Sequence, residues 1–124
     1  MMIKRKFIWH KLKKNIYRQD SVSDKSIEAL AIFLSDGLGF KTYMDFLLDE
    51  KRQRFVGNLS WLEKRGDMIS IDIDDYVYPD TPIFTTTIRN LITILQEYRR
   101  LFYLQVNRIE ITIDEFDQVS VTGE

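Results

Sequence analysis

Apolar positions recur along this chain with two different periods, and the change of period divides it. Near the start, Ile8, Trp9, Leu12 and Ile16 fall within about 100° of arc on a helical wheel, which predicts a short amphipathic helix over 6–18. Ile3 and Phe7 lie off that face, which leaves an extended start open. A second helix carries Ile27, Leu30, Ala31 and Leu34 as its stripe. Ser23 or Asp24 can cap it, because a short side-chain oxygen accepts from the free N–H groups of a first turn. Asp36-Gly37 stops it, glycine taking the left-handed conformation cheaply. A third helix starts near Gly39, holds Phe40, Tyr43, Met44 and Leu47 at helical spacing, and fades into Asp49-Glu50-Lys51-Arg52.

The period then shortens to two. Phe55, Leu59 and Trp61 alternate with Val56, Asn58 and Ser60. Beyond Arg65-Gly66-Asp67, Ile69, Ile71 and Ile73 alternate with Ser70, Asp72 and Asp74, which predicts a β-hairpin turning at that glycine. Tyr76 and Tyr78 continue the strand or leave it. Thr85, Thr86 and Thr87 supply a cap for the longest helix, about 85–103, whose stripe is Ile88, Leu91, Ile92, Leu95, Tyr98 and Phe102. A second hairpin closes the chain: Ile109, Ile111 and Ile113 alternate with Glu110, Thr112 and Asp114, Glu115-Phe116-Asp117 bends, and Val119 and Val121 alternate again. The order ααα-ββ-α-ββ predicts one α+β domain over residues 1–124, with N-terminal helices and one long helix packed on a mainly antiparallel sheet built from two hairpins. Strand order, and whether both hairpins share one sheet, stay open.

Charge changes this picture more than composition does. A chain of 124 residues, 44% hydrophobic and 30% charged, is ordinary for one globular domain, but its charges are sorted. The first 18 residues hold seven bases and no acid; residues 66–88 hold five acids and no base; residues 109–124 hold five more acids, again with no base. Strand parity sends Asp72, Asp74, Glu110 and Asp114 to the side opposite the isoleucines. If the hairpins share a sheet, these four carboxylates share its open face, with Asp75, Asp80 and Glu115 near its edges. Two readings of such a face stand side by side. It keeps strands wet and non-sticky, or it meets a basic partner, with Tyr76, Tyr78 and Trp61 as aromatic anchors. The basic start is read as a solvated helix face ahead of membrane or nucleic-acid binding. It can also pair with the acidic strands of the same chain.

Catalytic and metal chemistry find little support. His10 is the only histidine and there is no cysteine, so no zinc site, thiolate nucleophile or histidine dyad can be assembled. His10 is expected at the surface of the first helix. Counted from Asp72, the sixth and twelfth positions of a calcium loop hold Val77 and Ile83 instead of glycine and glutamate. Gly37 and Gly39 follow a helix and lack the third glycine of a dinucleotide cradle. Arg65-Gly66-Asp67 is a turn, and nothing marks an aromatic cleft around paired carboxylates for glycoside hydrolysis. The expectation is therefore no catalytic residue, no cofactor and no metal. No apolar run approaches the roughly 18 to 20 residues of a membrane span, and the charged start lacks the unbroken apolar stretch of a secretory signal, so a cytoplasmic protein is expected.

The helix Thr87 to Tyr103, the strand Arg108-Ile109-Glu110-Ile111-Thr112-Ile113, the short acidic turn and the closing strand Val119-Ser120-Val121 form a layout. It resembles the small bacterial immunity proteins that neutralise toxins of contact-dependent growth inhibition and related polymorphic toxin systems. The resemblance covers about half of the chain and transfers no binding residue. It implies a cytoplasmic, non-enzymatic inhibitor that binds one cognate, basic toxin domain, a nuclease being one case. On the charge pattern, the expected partner-binding residues are Asp72, Asp74, Asp75, Tyr76, Tyr78, Asp80, Glu110 and Asp114. The alternative is a structural or regulatory interaction domain that self-associates through a sheet edge or the first helix, or binds another protein.

Overall fold

The computed structural model describes residues 3–11, 17–19, 24–35 and 39–124. The class is α+β, with three helices among these residues, but the strands form two antiparallel sheets instead of one. The first sheet has the order β2-β1-β7-β8, with β1 Ile3–His10, β2 Tyr17–Gln19, β7 Arg108–Asp114 and β8 Val119–Gly123. The second has the order β3-β4-β5-β6, with β3 Arg54–Val56, β4 Ser60–Arg65, β5 Met68–Ile73 and β6 Phe84–Thr87. Helices α1 (Ile27–Leu34) and α3 (Ile88–Tyr103) each touch strands of both sheets, and α2 (Phe40–Leu48) packs on α3.

The expected N-terminal helix is a strand over its described part. The segment satisfies either period, and pairing decides. In β1, Arg5, Phe7 and Trp9 turn inward, while Lys6, Ile8 and His10 stay half-buried on the other side. Phe7 lies opposite Ile111, and Trp9 opposite Ile109. A helix would have surrendered that ladder and the apolar contacts beneath it. His10 accordingly sits on a strand, opposite Arg108. Leu12 and Ile16 lie outside the described residues, as do Ser23 and Asp36-Gly37.

The other elements follow their patterns with local changes. Asp24, not Ser26 at the cap position, receives the Ser26 amide (2.9 Å) ahead of α1. The first hairpin turns tightly at Gly66-Asp67, since Arg65 pairs with Met68, and Gly66 supplies a φ of 61°. Residues around Phe55 form the separate short strand β3. The threonines split their roles: Phe84–Thr87 is β6, and only then does Thr87 Oγ1 accept the Asn90 amide (3.0 Å) to cap α3. On α3, Leu91, Ile94, Leu95 and Leu101 are buried, whereas Phe102 is exposed. The inward isoleucines 69, 71 and 73 of β5 and 109, 111 and 113 of β7 belong to one hydrophobic core with Phe33, Phe46, Leu62 and Phe84.

One inward position of β4 is a lysine. Lys64 Nζ donates to the carbonyls of Phe46 (2.7 Å) and Asp49 (2.5 Å), and lies 4.4 Å from the centre of the Phe46 ring. These carbonyls belong to the end of α2, where a helix lacks amide partners and carries partial negative charge. A buried cation is thus tolerated because it closes a helix end. Burial holds Lys64 below its usual pKa of 10.5. Between that lowered value and 10.5, the unfolded chain still binds a proton that the folded chain has lost, so this group makes stability rise with pH across that window. Lys64→Met is expected to cost about 1–3 kcal/mol in urea unfolding at neutral pH, since the Asp49 carbonyl loses its donor while the Phe46 carbonyl keeps the Asp49 amide (3.2 Å), and to abolish this alkaline gain.

Candidate partner-binding surface

The outer face of the β3–β6 sheet sets a cluster of exposed apolar side chains among charged and hydroxyl groups. Parity that buries Leu62, Ile69 and Ile71 turns Trp61, Met68 and Asp72 outward. Val56 joins them from β3 and Ile83 from the segment before β6, and all four apolar side chains are exposed, Trp61 by 43% and Val56 by 70%. They line an open groove of about 750 Å³. Glu63 stands within it, held by Arg65 Nε (2.6 Å) and Arg54 Nε (3.4 Å). The Arg65 hydrogen bond, with Arg54 adding to it, keeps Glu63 below the usual carboxylate range. Asp72, directly across from Trp61, has no cationic partner among the described residues.

The groove runs out into the connection between β5 and β6, which is ordered by its own acids. Asp74 Oδ1 accepts the Tyr76 amide (3.0 Å), and Asp75 Oδ1 accepts the Asp80 amide (2.9 Å). Asp80 takes a left-handed φ of 63°, which aspartate tolerates better than most residues. The effect is to lift Tyr76, 94% exposed, together with Val77 and Tyr78 into solvent. None of Asp74, Asp75 and Asp80 forms an ion pair among the described residues.

Met68, Ile83 and Thr85 also line a second depression of about 420 Å³, whose other wall carries Asp114, Glu115 and Asp117. At its base lies Arg5, whose side chain is only 9% exposed. Its Nη1 donates to the Thr85 carbonyl (3.0 Å), its Nη2 to Asp117 Oδ1 (2.9 Å), and its guanidinium stacks 4.6 Å from the Phe84 ring centre. Burial lowers the Arg5 pKa, against the opposing pull of Asp117 and then Asp24. Asp117 holds a left-handed φ of 61°, and its other oxygen meets Thr86 Oγ1 and Asn90 Nδ2 (both 3.3 Å). Asn90 Nδ2 also reaches the Asp117 carbonyl (2.8 Å). The main-chain N–H of Ser26 holds Asp24 below its ordinary pKa.

The expected face of shared carboxylates does not exist, because the two hairpins belong to different sheets. Parity itself holds: Asp72 and Glu110 both point away from the isoleucines. Glu110, however, lies on the other sheet and is neutralised by Lys6 (3.0 Å) and Arg108 (3.4 Å). Asp114 sits at the β7–β8 turn, where its Oδ1 accepts the amides of Phe116 (2.8 Å) and Gln118 (3.0 Å). Asp72, Asp74, Asp75, Tyr76, Tyr78 and Asp80 do gather at one end of the β3–β6 sheet. Missed in the sequence were Val56, Met68 and Ile83, and the Arg5–Asp117 pair below them. Met68 carries a signal, being out of phase with Ile69; the ion pair joins positions 112 residues apart and carries none.

Among the described residues, no three metal-ligating side chains converge, and no helix is long and apolar enough to cross a membrane. No family model, curated protein or solved structure matches the chain. Asp117→Asn keeps a residue suited to the left-handed backbone while removing the charge opposite Arg5. It is expected to destabilise the fold by about 1–3 kcal/mol in urea unfolding, and Asp117→Ala by more, because alanine also resists the positive φ.

Proposed function

We propose that the protein is a non-enzymatic inhibitor that acts in the cytoplasm by binding and neutralising a cognate bacterial toxin domain with a basic surface, such as a nuclease. One observation carries this reading: a groove lined by exposed apolar side chains, Trp61 among them, leads into a loop whose carboxylates form no ion pair among the described residues. Exposed apolar patches bordered by polar groups are the usual mark of a docking surface. Unpaired like charges beside such a patch favour a partner of opposite sign and speed its approach. The resemblance of the layout from α3 to β8 to small immunity proteins, drawn from the sequence, points the same way. The bet on residues narrows accordingly. Asp72, Asp74, Asp75, Asp80, Tyr76 and Tyr78 remain in the interface, whereas Glu110 drops out because its charge is spent on Lys6 and Arg108, and Asp114 because its carboxylate holds the β7–β8 turn of the other sheet.

The second reading, a structural or regulatory domain that self-associates, draws on a separate observation, the outer edge of β8, which pairs with no further strand among the described residues.

The test is capture of the protein encoded immediately upstream, followed by binding kinetics. Trp61→Ala is expected to weaken the complex at least about tenfold, mainly through faster dissociation. Asp72→Lys with Asp80→Lys is expected to slow association and flatten its salt dependence, while Glu110→Gln leaves association unchanged. Unaltered kinetics in the Trp61 and Asp72/Asp80 variants would refute the groove as the interface.

A further inference from the structure

Hydrogen-bond phase singles out β8 as a bare edge. The Asp114 amide donates to the Gln118 carbonyl (3.1 Å), and the Glu124 amide to the Arg108 carbonyl (3.0 Å). With Ile111 opposite Val121, this phase turns the main-chain groups of Ser120 and Thr122 toward β7. The N–H and C=O groups of Val119, Val121 and Gly123 therefore point outward. Among the described residues none of these groups has a partner.

Edges of this kind are commonly blunted by lysine, proline or a bulge, because they invite another strand. The edge β6 is engaged through its Thr85 carbonyl, which receives Arg5. The edge β3 is three residues long and carries Arg54. In contrast, β8 reads Val-Ser-Val-Thr-Gly, with no charge and no proline, and its ladder with β7 runs without a register shift. Val119 and Val121 are only half-buried on the inner side, so apolar cover is still to be gained.

We propose that β8 pairs antiparallel with β8 of a second copy of this chain, across a two-fold axis at Val121. The sequence is self-complementary in this register. Val121 faces Val121 of the second copy as a hydrogen-bonded pair, and Val119 faces Gly123, each exchanging outward main-chain groups. Ser120 faces Thr122 on the outer side, a favourable hydroxyl pair. Gln118 faces Glu124, so no like charges oppose each other. The two β2-β1-β7-β8 sheets then continue as one sheet through an isologous contact. The dimer rests on the self-association reading, and since this edge shares no residue with the Trp61 groove or the acidic loop, a monomeric chain leaves toxin binding untouched.

Sedimentation equilibrium of the full chain across the micromolar range tests it. Two variants separate pairing from folding. Val121→Pro removes an outward N–H that the β7 ladder does not use. Ser120→Lys with Thr122→Lys places lysines opposite each other across the axis while leaving every main-chain donor in place. The expected result is a concentration-dependent mass reaching twice that of the chain. In both variants the dimer dissociation constant rises at least about tenfold, from lost main-chain hydrogen bonds in Val121→Pro and from opposed lysine charges in the double variant, with unchanged far-ultraviolet circular dichroism. A wild-type chain that stays monomeric throughout, including one whose edge is filled only by a strand of a different protein, overturns the proposal. So does a dimer that persists in the doubly lysine-substituted chain.

Discussion

Four parts of the chain meet at one buried guanidinium. Arg5 comes from β1, the carbonyl it binds from β6, the carboxylate it faces from the β7–β8 turn, and Asn90, which holds that turn, from the start of α3. A cation with a side chain nine-tenths out of water is costly unless it is neutralised and hydrogen-bonded. Satisfying it therefore constrains everything around it. The two sheets must approach at Thr85, the turn must adopt the left-handed conformation at Asp117, and α3 must begin where Asn90 can reach that turn. The buried Nε of Arg5 has no partner among the described residues, which marks the arrangement as a compromise among these demands.

The same interaction explains what becomes of the sorted charge. Antiparallel pairing of β1 with β7 lays the basic start of the chain along its acidic end. Lys6 meets Glu110, and Arg5 meets Asp117. Two of the three charge blocks in the sequence thus answer each other inside the fold. The middle block has no counterpart among the described residues: β5 is flanked by β4 and β6, and Glu63 already engages both Arg54 and Arg65. Asp72, Asp74, Asp75 and Asp80 are left facing water beside Trp61 and Tyr76. An acid-rich sequence is common; acids left over after internal pairing, next to exposed aromatics, are a more specific feature.

Legibility followed the range of the interactions. Helix α3 and both hairpins were readable because their periods repeat and their partners are near in sequence. The start of the chain was misread because Ile8 and Trp9 suit a helix face and Phe7 and Trp9 suit a strand, and the partner that decides, Ile109 to Ile111, lies at the other end of the chain. The division into two sheets was hidden for the same reason. It depends on β1 joining β7 and on the short strands β3 and β6 joining the first hairpin. The acidic loop was legible as a contiguous stretch. The apolar groove was not, since it collects Val56, Trp61, Met68 and Ile83 from four separate segments.

In the proposed function, the acids and apolar groove of the β3–β6 sheet meet the partner, while Glu110, Asp114 and Asp117 of the other sheet serve the fold. Amide chemical-shift mapping during titration with the protein encoded immediately upstream tests it most directly. Perturbations are expected at Val56, Trp61, Met68, Asp72 and the non-proline residues of 75–83, with little change at Glu110 and Thr112. Perturbations centred on the Lys6–Glu110 face, with the groove and the acidic loop silent, would contradict it.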